Sequence, residues 1–448
     1  MTEDENSMTG SLLVQNSLLN GRKMDILIES GIISRIERAG TISESKLTSD
    51  GCMKIKRVDA EGRAIIPGLI DPHVHFRCPG MEYKEDWISG SRAALAGGVT
   101  TVFDMPNNKP AIETMEALLL KRDAALRSDK AGIRLGRFFW VGTSPDNIQE
   151  LPALLLEKDV VGVKLFFSES SGNNSSSERA FLKTVFRAAA HEQKIVAVHT
   201  EMAELLAQSA VGSDFSNLEL HNRMRPDRAA EAGTKLALEL SAETGAKVYI
   251  CHVSTRGEFL SIKNHRKIYG ADSVFAELTP HHLILNEGIS VDGGPQSWAK
   301  VNPPLRSKEN MKAAGNALID GTIDVIGSDH APHTLKEKRQ ESKADFFKCP
   351  SGFPGLETEL GAIGGFLKKN FSDWEMKLIE VTSGNAARIF SLHDRGKIEV
   401  GKRGDLVILG GPAEVCINKF KTKAAYSPFN GMNLQISVYK TILGGKIG

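Results

Sequence analysis

Cysteine is scarce in this chain of 448 residues, and its five cysteines are scattered. No two of them have the C-x-x-C spacing, which argues against both a disulfide framework and a zinc site built from thiolates. A bound metal would then need histidine, carboxylate or lysine ligands. The 12 histidines are therefore the residues to examine first.

An excess of one charge is also missing, because 56 Lys and Arg balance 55 Asp and Glu and leave a net charge of +1. This balance argues against nucleic acid or an anionic membrane as a partner. No apolar run is long enough to span a bilayer, and residues 1–10 are polar and acidic rather than a basic and apolar leader. We expect a soluble, cytoplasmic protein.

Short apolar segments rich in β-branched residues alternate with segments of helical spacing. This alternation indicates βα units, and eight apolar runs predict an α/β fold, a closed (β/α)8 barrel over residues 67–389. A doubly wound sheet is the alternative, but the Gly-rich turn expected after its first strand is missing. The predicted strands are residues 63–70, 99–105, 137–141, 160–167, 194–199, 247–253, 273–278 and 322–327.

The two chain ends have short alternating strands and frequent turns instead. Neither end is long enough for a core of its own, so we predict one small β-sandwich domain assembled from residues 1–66 and 390–448. Two separate β appendages are the alternative. The Ser/Gly/Asn-rich residues 168–177 are predicted to be a loop that serves either as a lid over a site or as an ordinary surface connection.

Several predicted strands end in residues that bind metals. His73 and His75 lie two apart on the first strand and point the same way, while His199, His252 and Asp329 end the fifth, sixth and eighth strands. The carboxyl ends of barrel strands meet at one rim, where active sites lie. Core histidines would explain one H-x-H pair equally well, but this convergence favours a metal site with Asp329 as proton carrier for amide hydrolysis.

Lys164 lies within the apolar fourth strand, in Val-Gly-Val-Lys-Leu-Phe-Phe. A buried lysine needs a partner, so one interpretation is a salt bridge. The other is that the desolvated amine has reacted with carbon dioxide, which gives an anionic ligand able to bridge two metals. Together with Asp329 and a bridging hydroxide, this ligand would leave two divalent cations with net positive charge for an anionic substrate.

Further polar residues follow the strand ends. Arg77 lies two residues beyond His75 and suits bidentate binding of a carboxylate, with a surface ion pair as the alternative. Asn107 offers both a donor and an acceptor, and the other candidates are Asn302, His333, Ser351 and Gly352. We assign structural roles to His281 and His282, and solvated positions to His191, His221, His265 and His393.

The motifs that contain these residues follow one another along the chain as PGLIDPHVHFRCPG, EDW, AGGVTTVFDMPN, GVKLFF, VHTE, CHVS, NPPLRS, SDHAPHTLKEK and GFPGLETE, with GKIEVGKRGDLVIL and YSPFNGM in the tail. As a set they resemble the dihydroorotases, in the cyclic amidohydrolase branch of the amidohydrolase superfamily. The arginine of HFR, the asparagine of MPN, and DHAPH with the later GFPG resemble dihydroorotases in particular.

The resemblance implies two zinc ions and the reversible cyclisation of N-carbamoyl-L-aspartate to L-dihydroorotate in pyrimidine biosynthesis. It implies that His73, His75 and Asp329 hold one zinc and His199 and His252 the other, with carboxylated Lys164 and a hydroxide as bridges. Substrate would be bound by His75, Arg77, Asn107, Asn302, His333, Ser351 and Gly352. The resemblance also suggests a homodimer and allows association with another pyrimidine-pathway enzyme.

Two positions depart from the family pattern. Cys78 stands where dihydroorotases usually have Glu, which predicts altered support for the mouth of the site, and Lys164 stands where many bacterial relatives have Asp, which favours the carboxylated-lysine branch. An allantoinase or a dihydropyrimidinase (hydantoinase) is the closest alternative function, although neither needs Arg77. A non-catalytic dihydroorotase-like scaffold subunit is another alternative, although such subunits typically lose metal ligands.

Overall fold

The computed structural model describes residues 10–42, 55–168, 178–209, 217–339 and 343–448. Residues 169–177 of the predicted lid therefore lie outside the described residues. The strands are β1 (Ser11–Leu19), β2 (Arg22–Glu29), β3 (Ile32–Arg38), β4 (Lys56–Asp59), β5 (Ile65–Pro67), β6 (Leu69–Val74), β7 (Val99–Asp104), β8 (Gly136–Val141), β9 (Val160–Phe166), β10 (Ile195–His199), β11 (Val248–Ile250), β12 (Val274–Leu278), β13 (Val325–Ile326), β14 (Leu406–Gly410), β15 (Ala413–Glu414), β16 (Asn433–Leu434), β17 (Ser437–Leu443) and β18 (Lys446–Ile447).

Strands β6 to β13 form an eight-stranded parallel sheet in sequential order. A bridge between Val74 and His330 brings its two edges together, and the N–H of His75 donates to the carbonyl oxygen of His330 over 2.8 Å. The predicted (β/α)8 barrel is confirmed. The carboxyl ends of its strands therefore meet at one rim.

Helices follow most of the barrel strands. The first and the eighth begin at side-chain caps: Asp86 caps α1, and Thr255 with Glu258 forms a capping box at α8. The helices are α1 (Trp87–Ala96), α2 (Met115–Lys130), α3 (Leu151–Leu156), α4 (Arg179–His191), α5 (Ala203–Ser209), α6 (Leu218–Met224), α7 (Asp227–Thr244), α8 (Arg256–Tyr269), α9 (Pro280–Ile284), α10 (Lys308–Ile319), α11 (Lys343–Lys348), α12 (Leu356–Asn370), α13 (Trp374–Ile379) and α14 (Asn385–Ile389). No helix in the described ranges is long and apolar enough to cross a bilayer.

Alternate residues of the barrel strands form two apolar clusters. One packs strand residues such as Val102 and Val163 against the helices. The other joins Phe103, Trp140 and Tyr249, whose rings surround Phe390 at centroid distances of 4.7, 5.7 and 5.8 Å. Since successive side chains on a strand point to opposite faces, the second cluster fills the barrel interior and gives the rim a rigid floor.

The two chain ends meet in a pair of four-stranded sheets with the orders β3-β2-β1-β4 and β18-β17-β14-β5. One apolar cluster joins them, since it contains Leu12 and Ile26 from the first sheet and Ile65, Leu406 and Ile442 from the second. The small sandwich built from both ends is therefore confirmed as part of the fold. The domain boundaries at residues 66/67 and 389/390 stay a prediction.

The predicted first strand, residues 63–70, is divided in the structure. Ile65–Pro67 pairs antiparallel with β14 in the terminal sheet, whereas Leu69–Val74 pairs with β7 in the barrel. Gly68 separates the two, and a Cβ at this position would lie 2.2 Å from Oγ1 of Thr100. Only glycine allows this close approach, so one continuous apolar run serves two sheets.

Candidate active site

A cavity of about 150 Å³ lies at the rim of the barrel. Ten of the twelve predicted site residues line it, and they are His73, His75, Arg77, Asn107, His199, His252, Asn302, Asp329, Ser351 and Gly352. Lys164 and His333 do not line the cavity but are buried beside it. Phe166, Arg225, Val301 and Ala331 complete the lining and were not predicted.

The first strand and the eighth bring three possible ligands together. Nε2 of His73 and Nε2 of His75 lie 3.3 and 3.2 Å from Oδ1 of Asp329, and the ligand atoms of all three residues fall within 4.8 Å of one another. Burial lowers the pKa of His75 to about 3, so its imidazole is neutral. Burial raises the pKa of Asp329, but His73 and His75 outweigh it, so the carboxylate stays ionised.

The outer ring nitrogens of these histidines are also held. Nδ1 of His73 lies 2.8 Å from Oε1 of Glu277, and Nδ1 of His75 lies 2.7 Å from Oδ1 of Asn107. The carboxylate of Glu277 also accepts hydrogen bonds from the hydroxyl of Tyr249 and the N–H of His252. A metal-binding histidine usually donates its second nitrogen to such a partner, so both rings present Nε2 to the cavity.

The fifth and sixth strands supply the second pair of histidines. Nδ1 of His199 lies 3.1 Å from Nε2 of His252, and Nε2 of His199 lies 3.0 Å from Oε2 of Glu201, which Arg225 holds in turn. Nδ1 of His252 is buried and has no hydrogen-bond partner among the residues that the structure describes. Burial lowers the pKa of His252 well below its usual value, so this imidazole is neutral.

These arrangements test whether the residues suit a metal. Four imidazoles and an ionised carboxylate converge in two neighbouring groups, and three of the four histidines have an outer partner that fixes the ring. Imidazole and carboxylate are ligands that zinc and related metals accept. The donor set therefore fits a metal centre, with His73, His75 and Asp329 in one group and His199 and His252 in the other.

Lys164 lies on β9 next to both groups, and its side chain is 1% exposed. Its Nζ lies 2.7 Å from Sγ of Cys251 and 5.2 Å from the ring centroid of Phe166. Among the described residues no carboxylate forms a salt bridge with it, so the ion-pair interpretation finds no support. Cys251 precedes His252 and also lies within ligand distance of His73 and Glu277.

Arg77 also lines the cavity and is 4% exposed. Its Nε lies 3.3 Å from the carbonyl oxygen of Pro332, and its Nη2 lies 3.4 Å from Nε2 of His333. No carboxylate in the described parts of the chain lies within 4.0 Å of the guanidinium. A buried charge without an opposite charge is costly, so this arginine is suited to an anionic ligand.

Ser351 and Gly352 form the neighbouring wall. The N–H of Gly352 donates to the carbonyl oxygen of Lys300 over 2.8 Å, and Nζ of Lys338 lies 2.8 Å from the carbonyl oxygen of Gly352. Gly352 has a φ of +123°, and a Cβ there would lie 2.6 Å from the carbonyl oxygen of Ala331. Glycine is therefore required for the backbone to approach the cavity this closely.

Asn302 lies in the lining, and its Oδ1 is 3.0 Å from Nε2 of His221. His221 and His265 are 8% and 7% exposed, so the solvated positions predicted for them were wrong: both lie on inward faces of their helices. His281 and His282 are buried, and Nε2 of His282 binds the carbonyl oxygen of Pro303. This arrangement agrees with the structural role predicted for His282.

Three cavity residues have backbones in the left-handed region, where side chains other than glycine are strained: Arg77, His252 and Asp329, with φ of 61°, 38° and 47°. Each follows a barrel strand at the rim. Such conformations cost free energy and persist where the surrounding structure enforces them, which is common at active sites. The chain thus turns sharply at the points where it presents its polar side chains.

Sequence reasoning missed Glu277, Glu201 and Arg225. A signal existed for Glu277, because it interrupts the apolar seventh strand just as Lys164 interrupts the fourth. Glu201 lies two residues after His199 and so follows that histidine on the same side. No spacing in the sequence links Arg225, which lies on a loop beyond α6, to the site.

The chain is similar to known proteins over most of its length. The model of the amidohydrolase family matches residues 64–448. A dihydroorotase of Halobacterium salinarum is 33% identical over 416 residues, which cover 92% of this chain and 90% of that protein. A dihydroorotase of Clostridium acetobutylicum is 34% identical over 427 residues, which cover 95% of each protein.

Solved structures give the same fold. An L-hydantoinase (dihydropyrimidinase) from Arthrobacter aurescens superposes with a TM-score of 0.85 at 27% identity, over 97% of this chain and 95% of that one. A dihydropyrimidinase from Brevibacillus agri gives a TM-score of 0.84 at 22% identity, over 98% and 94% of the two chains. The second likeness shows the fold alone.

Proposed function

The chain belongs to the amidohydrolase family, and on that premise we propose that it catalyses the dihydroorotase reaction, the reversible ring closure of N-carbamoyl-L-aspartate to L-dihydroorotate in pyrimidine biosynthesis. The observation that carries the proposal is Arg77. Its buried guanidinium lines the cavity without a carboxylate partner among the described residues. Dihydroorotate has a ring carboxylate that can form a bidentate pair with it.

The same site supports metal dependence. We propose that His73, His75 and Asp329 hold one zinc ion, that His199 and His252 hold a second, and that carboxylated Lys164 bridges the two. Such a metal pair lowers the pKa of a bound water and polarises a carbonyl group. The absence of a carboxylate partner for Lys164 among the described residues and its buried position support a modified, anionic side chain there.

Asp329 then acts as the proton carrier. In ring opening its carboxylate accepts a proton from the attacking water and delivers it to the leaving ring nitrogen, and in ring closure it acts in reverse. Arg77 and the wall at Ser351 and Gly352 hold the carboxylate end of the substrate. Asn107 keeps His75 oriented through its 2.7 Å contact with Nδ1, and Asn302 closes the side next to Val301.

A substrate panel tests the function. Purified protein of known metal content is assayed with dihydroorotate, N-carbamoyl-L-aspartate, hydantoin, dihydrouracil and allantoin. We expect turnover of the first two at a kcat/KM well above that of the others. Good turnover of hydantoin or allantoin without dihydroorotate activity would favour the cyclic amidohydrolases that need no carboxylate. Failure to bind metal or any substrate would favour a non-catalytic scaffold.

Lys164→Ala tests the metal bridge. We expect this variant to lose bound metal together with activity, because the bridging anion is removed while His73 and His252 remain. Lys183→Ala, at a partly exposed lysine paired with Glu243, is the control and should keep both. Two bound metals and a full rate in Lys164→Ala would contradict the bridge. The homodimer, the cytoplasmic location and the pathway partner stay predictions from the sequence.

A further inference from the structure

A chain of hydrogen bonds leads from Glu337 to the arginine side of the cavity. Oε1 of Glu337 lies 2.9 Å from Nζ of Lys84, and Nζ of Lys84 lies 2.9 Å from Nδ1 of His333. On its other side, Nε2 of His333 lies 3.0 Å from the carbonyl oxygen of Ser351 and 3.4 Å from Nη2 of Arg77. Ser351 and Arg77 both line the cavity.

Glu337, the first residue in this series of hydrogen bonds, is itself held in place. The other carboxylate oxygen of Glu337 accepts hydrogen bonds from the N–H and the hydroxyl of Thr334, over 2.9 and 3.0 Å. Lys84 is 8% exposed, so water does not compete freely for its ammonium group. Glu337 therefore holds Lys84 in one place, with its remaining N–H groups directed at His333.

The polarity of the contacts determines which nitrogen of His333 carries the proton. A lysine ammonium group only donates, so Nδ1 must accept, and a carbonyl oxygen only accepts, so Nε2 must donate to Ser351. The longer contact of 3.4 Å between Nε2 and Nη2 of Arg77 is then a contact between two donors and not a hydrogen bond. The alternative tautomer would set a donor against the ammonium of Lys84 and leave the carbonyl of Ser351 without its partner. Burial lowers the pKa of His333 well below its usual value, and Arg77 and Lys84 act in the same direction, so the ring is neutral.

We propose that Lys84 is a positioning residue that fixes the Nε2–H tautomer of His333 and thereby holds Ser351, which lines the cavity together with Arg77, in place for the substrate carboxylate. This inference rests on the proposed function for its effect on the reaction. Without Lys84, Nε2 of His333 becomes free to accept, and its repulsion of the Ser351 carbonyl oxygen loosens the wall that faces the substrate. Among the described residues, the four histidines that would hold metal form no hydrogen bond with Lys84 or His333.

Lys84→Met tests the role in binding, because methionine keeps much of the apolar stem and removes the donor. We expect KM for dihydroorotate to rise about tenfold, the loss of one hydrogen bond of ordinary strength, while kcat changes by less than about threefold. Lys84→Arg keeps a donor and should recover part of the loss. Lys377→Met, which removes a Lys–Glu pair of 3.0 Å formed by a partly buried lysine and an exposed glutamate, is the matched control and should leave both constants unchanged.

A ¹⁵N spectrum of histidine-labelled protein tests the tautomer directly, with His333 assigned by its absence from the spectrum of His333→Gln. We expect Nε2 to be protonated and Nδ1 unprotonated in the unmodified protein, and the other tautomer to gain population in Lys84→Met. Protonated Nδ1 in the unmodified protein would overturn the proposal, as would unchanged spectra and KM in a folded Lys84→Met.

If Lys84→Met does not fold, Glu337→Gln replaces it, since it weakens the hold on Lys84 without emptying the interior. We then expect the same changes in KM and in the tautomer population of His333, but smaller in size. Their absence would overturn the proposal. If the unmodified protein does not turn over dihydroorotate, the proposed function fails, but the ¹⁵N spectrum still decides the tautomer.

Discussion

The two sides of the cavity differ in which groups hold their polar side chains. On the histidine side, buried carboxylates and an amide hold the outer nitrogens of His73, His75 and His199. On the other side, the guanidinium of Arg77 lies near a carbonyl oxygen and a histidine ring, and no described carboxylate forms a salt bridge with it. A satisfied network fixes geometry, whereas a buried and unpaired charge attracts its partner. The first side is therefore suited to the chemistry, and the second to the choice of substrate.

Among these predictions, Asp329→Asn, on the histidine side of the cavity, should cause the largest loss of activity. Asparagine keeps the shape but cannot accept and return the proton, so we expect kcat for dihydroorotate to fall by about 10²- to 10⁴-fold. Asp272→Asn, at an exposed residue paired with Arg388, should leave the rate unchanged. If the rate of Asp329→Asn lies within about threefold of that of the unmodified enzyme, Asp329 is not the proton carrier.

Arg77→Met, on the other side of the cavity, should selectively weaken the binding of the substrate carboxylate. Hydrogen bonds to charged groups contribute about 1.5–3 kcal/mol each, so we expect kcat/KM for dihydroorotate to fall about 100-fold or more. Any turnover of dihydrouracil, which has no carboxylate, should fall little, because it does not use the guanidinium. Equal losses with both substrates would mean that Arg77 supports the site as a whole and does not select the substrate.

Glu277→Gln sharpens the account of the histidine side. The amide retains the volume of the carboxylate but weakens the contact that orients His73, and loss of such partners typically lowers metal affinity about 10- to 100-fold. Competition with a zinc chelator would measure this change. Glu239→Gln, at a partly exposed residue paired with Arg179, is the matched control. Equal zinc affinities in the two variants would mean that Glu277 does not support metal binding.

The smallest effect is expected at Cys78, next to Arg77. Its thiol lies 3.2 Å from Oε1 of Glu82, and burial raises its pKa to about 12, so it is a neutral thiol. Cys78→Ser keeps a donor towards Glu82, and since such a bond contributes about 1 kcal/mol, kcat/KM should change by less than about fivefold. A larger loss would place Cys78 among the groups that set the position of Arg77.

The parts of the molecule that the sequence predicted well are those where strand ends carry the signal. His73, His199, His252 and Asp329 follow apolar runs, and the rule that barrel strands end at one rim was enough to bring them together. The division of the run around Gly68 was missed because buried strands of both sheets are equally apolar. An apolar run in the sequence predicts that a strand is buried, but it does not indicate which sheet the strand joins.

The supporting residues were harder to predict for a different reason. Arg225 and Lys84 lie on connections, where no periodicity indicates the direction of a side chain. Their partners, Glu201 and His333, are 24 and 249 positions away. Contacts of this kind depend on how the connections fold over the rim. They are set by the tertiary structure and not by any local pattern in the sequence.

The measurement that tests the central claim most directly is a crystal structure of the zinc-loaded protein with dihydroorotate bound. We predict that both oxygens of the ring carboxylate lie within hydrogen-bond distance of the guanidinium of Arg77, with the amide that is cleaved on the side of His73, His252 and Asp329. A carboxylate bound away from Arg77, or a ring turned so that its carboxylate faces the histidines, would contradict the division of the cavity into a reacting side and a selecting side.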